Sequence, residues 1–261
     1  MNTFILQTLL PFLISASVVI LITVIAEKFG TKVGGILGTL PSTIIIAFIF
    51  IALNKNLVFA STAAIVVPAE MAINLFFLLI FSTLAYRSKS LALFGSLTIW
   101  AILSTILYLS QINNILISIL IYIAALIVSF IFLEKVKKIS SHQKVKVSYT
   151  FKKILLRGIL AGTVIAVAVS LSNINATLSG IFSIFPAIFL STMLITVLEH
   201  GPHFTSGMAK SMILGSQTVM TYVIAVHFLY PSQGLIFGTI YSFVISFFMA
   251  LILLRIRNKI T

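Results

Sequence analysis

Apolar stretches alternate with short polar interruptions along nearly the whole chain. A bilayer core of about 30 Å is crossed by about 20 apolar residues in a helix. Cut at charges and polar turns, stretches of that length fall at about 4–26, 33–53, 57–85, 91–110, 114–133, 154–173, 177–198, 205–229 and 232–254. The pattern predicts an all-α integral membrane fold of nine transmembrane helices. The gaps hold turn chemistry suited to a water boundary: Asn54-Lys55-Asn56, Ser110-Gln111-Ile112-Asn113-Asn114, Asn173-Ile174-Asn175 and Tyr230-Pro231-Ser232-Gln233. The first stretch has no basic residues ahead of it and exceeds a signal-peptide core, so it reads as a retained span.

Composition agrees. Of 261 residues, 60% are hydrophobic and 8% charged, with a mean hydropathy of +1.23. Soluble domains carry about 25% charged residues, so the excess apolar mass has to face lipid. A soluble enzyme, a disulfide scaffold and a disordered chain are excluded. The absence of cysteine removes disulfides and thiolate chemistry.

The cations order the spans. With nine helices, Lys28, Lys32, Arg87, Lys89, Lys135, Lys137, Lys138, Lys144, Lys146, Lys152, Lys153, Arg157, Lys210, Arg255, Arg257 and Lys259 share one side, and Lys55 alone falls on the other. The positive-inside rule then puts the N-terminus out and the C-terminus in, in a cytoplasmic membrane. The net charge of +13 thereby points away from nucleic acid. It points to an anionic inner leaflet, held by the basic linker 135–153 at about 1 kcal/mol per cation near the surface.

The chain also repeats at an offset of 145 residues. Gly35-Ile36-Leu37-Gly38-Thr39-Leu40-Pro41 aligns with Gly180-Ile181-Phe182-Ser183-Ile184-Phe185-Pro186. Leu53 then falls on Leu198, Phe59 on Phe204, Ser61 on Ser206 and Ala64 on Ala209. The expected organisation is a first repeat at 1–110, a connector helix with the basic linker at 111–153, and a second repeat at 154–261. Four helices plus one make an odd number of crossings, so the second copy enters from the opposite side. Inverted repeats of this kind recur in secondary transporters, with the site at the repeat interface near midplane. A duplicated protein that transports nothing is the alternative.

Pro41 lies inside the second span, where its ring clashes with the preceding turn and frees a carbonyl. Freed backbone groups at membrane depth need protein or trapped water as partners. Ser42, Thr43 and Thr39 are at hand. Ser183 and Pro186, with Ser191 and Thr192 beyond, form the counterpart. Two facing broken helices would aim backbone dipoles at one central volume; the plainer reading is a pair of proline kinks. Gly34-x-x-x-Gly38, Gly158-x-x-x-Gly162 and Gly234-x-x-x-Gly238 signal close packing, within the chain or in a homodimer.

Four carboxylates and no aspartate are present. Glu27 and Glu134 sit at helix ends beside lysines and read as solvated. Glu70 lies 13 residues after Leu57, two after Pro68 and four before Asn74. A charge near midplane costs at least about 2.5–3.5 kcal/mol, so this group faces the interior, finds a partner or is protonated. A proton carrier, a cation ligand and a neutral hydrogen-bonded acid are all consistent. Its repeat equivalent is Gly215, next to Ser216 and Gln217. Glu199-His200-Gly201-Pro202-His203 forms a second cluster: a gating or pH-sensing turn, an ordinary polar loop, or a divalent-metal site that Gly-Pro disfavours by denying a regular helical face. His227 reads as an interface residue. No nucleotide loop, zinc-protease helix or hydrolase elbow occurs, so neither enzyme activity nor a cofactor is expected.

The stretch from about Leu178 to Tyr230 resembles the small bacterial GlpM-type membrane proteins through Ser179-Gly180-Ile181-Phe182-Ser183-Ile184-Phe185-Pro186 and Glu199-His200-Gly201. Residues 34–43 resemble the opening half of longer uncharacterised membrane proteins that fuse two such units. The resemblance implies a polytopic inner-membrane protein. GlpM is linked to alginate production without an established activity, so the resemblance supplies no substrate. The leading expectation is a secondary transporter of a small solute or ion, possessing a site at Glu70, Asn74, Pro41, Ser42, Thr43, Ser183, Pro186 and Gln217. Its gate would be Glu199, His200 and His203. The other reading is a membrane scaffold that assists an envelope-polymer or lipid pathway.

Overall fold

The computed structural model describes residues 4–28, 41–133 and 150–260. All regular elements among them are helical. A π-helical turn, Ile5–Leu9, leads into α1 (Leu10–Lys28). Then come α2 (Ser42–Asn54), α3 (Leu57–Leu84), α4 (Lys89–Ser110), α5 (Ile115–Ile131), α6 (Phe151–Leu171), α7 (Ala176–Ser183), α8 (Ala187–Glu199) and α9 (Gly201–Ile260). Lys32, Gly34, Gly35, Gly38, Thr39, Glu134 and the basic run from Lys135 to Lys146 lie outside the described residues.

Five stretches among the described residues are long and apolar enough to cross a membrane: Leu57–Leu84, Lys89–Ser110, Phe151–Leu171, Ala176–Glu199 and Gly201–Arg255. Leu116, Ile117, Leu120 and Ile127 of α5 and Ile236, Phe237 and Phe248 of α9 are exposed, a surface that only lipid covers cheaply. The protein is an all-α, multi-pass membrane protein. The polar interruptions do double duty as helix starts. Asn56, Ser88, Asn114 and Asn175 accept from the N–H groups of Phe59, Leu91, Leu116 and Leu178, satisfying donors that the helix itself leaves open.

At the centre runs α3, buried on nearly every face. Ala63, Ala64, Ala69 and Ala72 let its neighbours α4, α5, α7 and α9 come close. Gly180 of α7 is one such approach, because a Cβ there would overlap the Ala63 carbonyl and Val66. The Gly158/Gly162 pair settles its own ambiguity: both glycines of α6 face α1, at Ala16, Ile20 and Phe12. The packing seam lies within the chain.

One expected border shifts. The turn predicted at 230–233 is helical, and the break falls at Gly234 (φ 77°, ψ 179°), a conformation that glycine adopts without Cβ strain. There α9 folds back on itself. Ser246 Oγ donates to Thr218 O at 2.7 Å, and the Tyr230 and Thr239 hydroxyls meet at 2.9 Å, so limbs 201–233 and 235–260 run antiparallel. Pro231 is tolerated inside the first limb for a reason. It lacks the N–H that His227 O would accept in a helix, and Ser61 Oγ donates to that carbonyl at 2.7 Å. The 177–198 stretch divides into α7 and α8 at Pro186, where the sequence places a break or a kink.

Hydrogen bonds fix the relative direction of α3 and the first limb of α9. Ser61 Oγ donates to His227 O, and Ser206 Oγ to Ser82 O at 3.4 Å. Advance along one helix is retreat along the other, so the pair is antiparallel. Adding 145 to Ser61 gives Ser206, and adding 145 to Ser82 gives His227, so the two bonds exchange under the repeat offset. The α1–α6 pair is antiparallel too: Gly158 meets Ile20, and Gly162 meets Phe12.

Candidate functional site

The repeated proline builds the same local structure twice. Pro41 precedes α2 with φ −77° and ψ 45°; Pro186 precedes α8 with φ −75° and ψ 38°. Both helices run 13 residues, and their bounds differ by the offset of 145. Neither start has a side-chain cap. Pro41 O and Pro186 O each accept the N–H four residues on, at 3.1 and 2.7 Å. Before Pro186 the chain turns sharply, Ala187 N–H reaching Phe185 O at 2.7 Å.

The two helix starts share one cavity of about 90 Å³, room for about three waters at bulk density. Pro41, Thr43 and Ile44 line it from one side, and Pro186, Ala187, Ile188 and Phe189 from the other. The open first turns of both helices therefore converge on it. Ser183, Ile184 and Phe185 add the end of α7, and Met71, Ile165 and Val219 close the wall. Apart from Thr43 and Ser183, its side chains are apolar.

Of the residues singled out from sequence, Pro41, Thr43, Ser183 and Pro186 meet at this cavity. Ser42 is half-buried at the start of α2 and is not in the wall. Gln217 turns back to its own helix, its Nε2 donating to Leu214 O at 3.3 Å. Glu70 and Asn74 stand behind the wall, with Met71, the residue after Glu70, in it. Both are fully buried. Ser104 Oγ of α4 donates to Glu70 Oε1 at 2.8 Å. The Trp100 indole N–H approaches the same carboxyl without completing a hydrogen bond, and Glu70 Oε2 has no partner. Asn74 Nδ2 donates to Ile184 O at 2.7 Å, covering a carbonyl that the α7–α8 break sets free.

Sequence reasoning passed over Trp100 and Ser104. Their signal was present, because Ala92, Ser96, Trp100, Ser104 and Leu107 recur at helical spacing and are the buried residues of α4. What that stripe would face was not readable. Trp100 stands edge-on to Phe185, with centroids 4.7 Å apart, and to Phe182 at 6.1 Å. In the sequence the α6 cation Arg157 is only a topology signal, yet its Nη1 donates to Thr192 Oγ1 at 2.9 Å inside the bundle.

The second cluster is looser. Glu199 pairs with Lys153, and His200 Nε2 lies 3.9 Å from its other oxygen. His200 packs edge-on against Phe204, and His203 is exposed. Among the described residues, no three such side chains gather as metal ligands. At the other end of α2 and α6 a neutral cluster forms. Gln7 Nε2 donates to Asn54 Oδ1 at 2.7 Å, Asn54 Nδ2 to Ser172 Oγ at 2.6 Å, and Asn173 Nδ2 to Gln7 Oε1 at 2.8 Å.

Fold and cavity thus define a multi-pass α-helical membrane protein in which two helix starts, each behind a proline, share a pocket. Within it, residues 154–259 match a family model described as "Protein of unknown function (DUF3147)". No curated protein and no solved structure matches.

Proposed function

We propose that the protein is a secondary transporter of a small solute or ion, with nine spans in an inverted 4+1+4 design. Its N-terminus is outside and its C-terminus in the cytoplasm. The observation that carries this reading is the convergence of two uncapped helix starts on one cavity. Transporters place solute sites between broken helices in this manner. The antiparallel α1–α6 and α3–α9 pairs support the inversion, as do the serine hydrogen bonds that exchange under the offset. The match over 154–259 supports reading the second unit as a module of its own. First-turn N–H groups favour a solute with a negatively polarised end. Glu70, behind the wall, supplies the coupling proton or cation site.

The test is proton movement in proteoliposomes, followed with an entrapped pH dye while small anionic and neutral solutes are added outside. A solute-dependent proton flux is expected in wild type and lost in Glu70→Gln. If no member of the panel moves protons or accumulates, the transport reading fails. The small size and mostly apolar wall of the cavity favour the scaffold instead; a scaffold keeps its cellular role in Glu70→Gln.

A further inference from the structure

We propose that Trp100 is a positioning residue that links the state of the Glu70 carboxyl to the α7–α8 break and so to the mouth of the central cavity. This rests on the reading of Glu70 as the titratable centre. Trp100 and Ser104 are one helical turn apart, so both occupy the same face of α4. Ser104 holds one oxygen of Glu70, and the indole N–H lies against the carboxyl whose other oxygen has no partner. The far edge of the indole meets Phe182 and Phe185, the latter in the cavity wall and next to Pro186. A parallel tie runs through α3, where Asn74, one turn from Glu70, holds Ile184 O. Both ties end on residues 184–185, where the backbone breaks.

The carboxylate and the acid act differently on this contact. An ionised Oε2 accepts the indole N–H in a charge-assisted bond and draws Trp100 in. Protonated on Oε2, the carboxyl presents an O–H donor to the indole N–H, and the indole is released toward Phe185. The proton therefore biases two arrangements of the break. The titratable side chains on the packed elements at this level are Tyr122 of α5, bonded to Ser216; Tyr108 of α4, bonded to Asn175; and Tyr222 of α9. Phenols stay neutral through about pH 8 in water, and α7 carries no titratable side chain.

Trp100 is the only tryptophan of the chain and no cysteine is present, so the link can be read directly. The emission of the full-length protein in lipid nanodiscs is followed from about pH 5 to about pH 9. A single sigmoidal change is expected in wild type, absent in Glu70→Gln and displaced in Ser104→Ala. A flat wild-type profile, or the same profile in Glu70→Gln, overturns the proposal. If Glu70→Gln does not fold, an undisplaced midpoint in Ser104→Ala overturns it. Transmission is read with Thr43→Cys, whose thiol sits at the cavity, by its rate of alkylation with N-ethylmaleimide. Dividing by the rate in the Glu70→Gln background removes the thiol's own pH dependence. That ratio is expected to change by about threefold or more across the range, and to stay flat when Trp100→Phe is added. A ratio that still changes in Trp100→Phe overturns the role of the indole. Neither measurement uses a solute. A failed titration leaves the proton-flux assay standing, and an absent flux leaves the titration standing.

Discussion

At one end of the bundle Gln7, Asn54, Ser172 and Asn173 join the π-helical turn, α2 and the end of α6 through neutral amide and hydroxyl hydrogen bonds. At the other end Lys153 and Glu199 join α6 and α8 through charge. The repeat offset places Asn54 on Glu199 and Gln7 on Lys152, the neighbour of the paired Lys153, so the two clasps share the Asn54 position and use different chemistry there. The difference follows the distribution of cations, which crowd the second end in the topology proposed above. Neutral bonds between short side chains are insensitive to salt, whereas a partly exposed ion pair is screened and worth little. The cation-rich end is the weaker clasp, and the end expected to open first.

Substitutions can break or sharpen that contrast. The largest effect is expected at the seam between the ends, where Gly180→Leu would drive a side chain into the Ala63 backbone. A loss of about 3 kcal/mol or a failure to fold is expected, measured by thermal unfolding in detergent. Next is Asn54→Leu, which removes the hub of the neutral clasp. About 2 kcal/mol is expected from the polar partners it strands, and a change below the error of the unfolding curve would deny the clasp any role. Ser61→Ala and Ser206→Ala then compare the two exchanged hydrogen bonds. Ser61 alone covers a carbonyl orphaned by proline, so its loss of about 1–2 kcal/mol is expected to exceed that of Ser206. Adding Pro231→Ala is expected to recover much of the Ser61 loss, and strict additivity in that cycle would sink the pairing. Glu199→Gln is expected to change stability least, by under about 1 kcal/mol, with the difference fading at high salt.

The all-α, multi-pass membrane character was legible in the sequence. Apolar length set the spans, because lipid leaves a backbone few ways to satisfy its polar groups. The polar gaps did cap helices, as Asn56, Asn114 and Asn175 illustrate. The turn at 230–233 was misplaced because Pro231 reads as a breaker until Ser61, far away in the chain, is seen to take over its missing bond.

The candidate site was legible only in part, and the division has a physical cause. Pro41 and Pro186 announce themselves because a missing N–H and a fixed φ act on the local backbone wherever the chain goes. Glu70 does so because charge in lipid is costly in any fold. Those facts belong to the residues and their neighbours in sequence. That the two prolines line one cavity, that Glu70 stands behind its wall beside Ser104 and Trp100, and that Gly158 and Gly162 seal an internal seam depend on helices far apart in the chain coming into contact. Such contacts are chosen by the packing of whole surfaces, and no local pattern of apolar and polar residues encodes them.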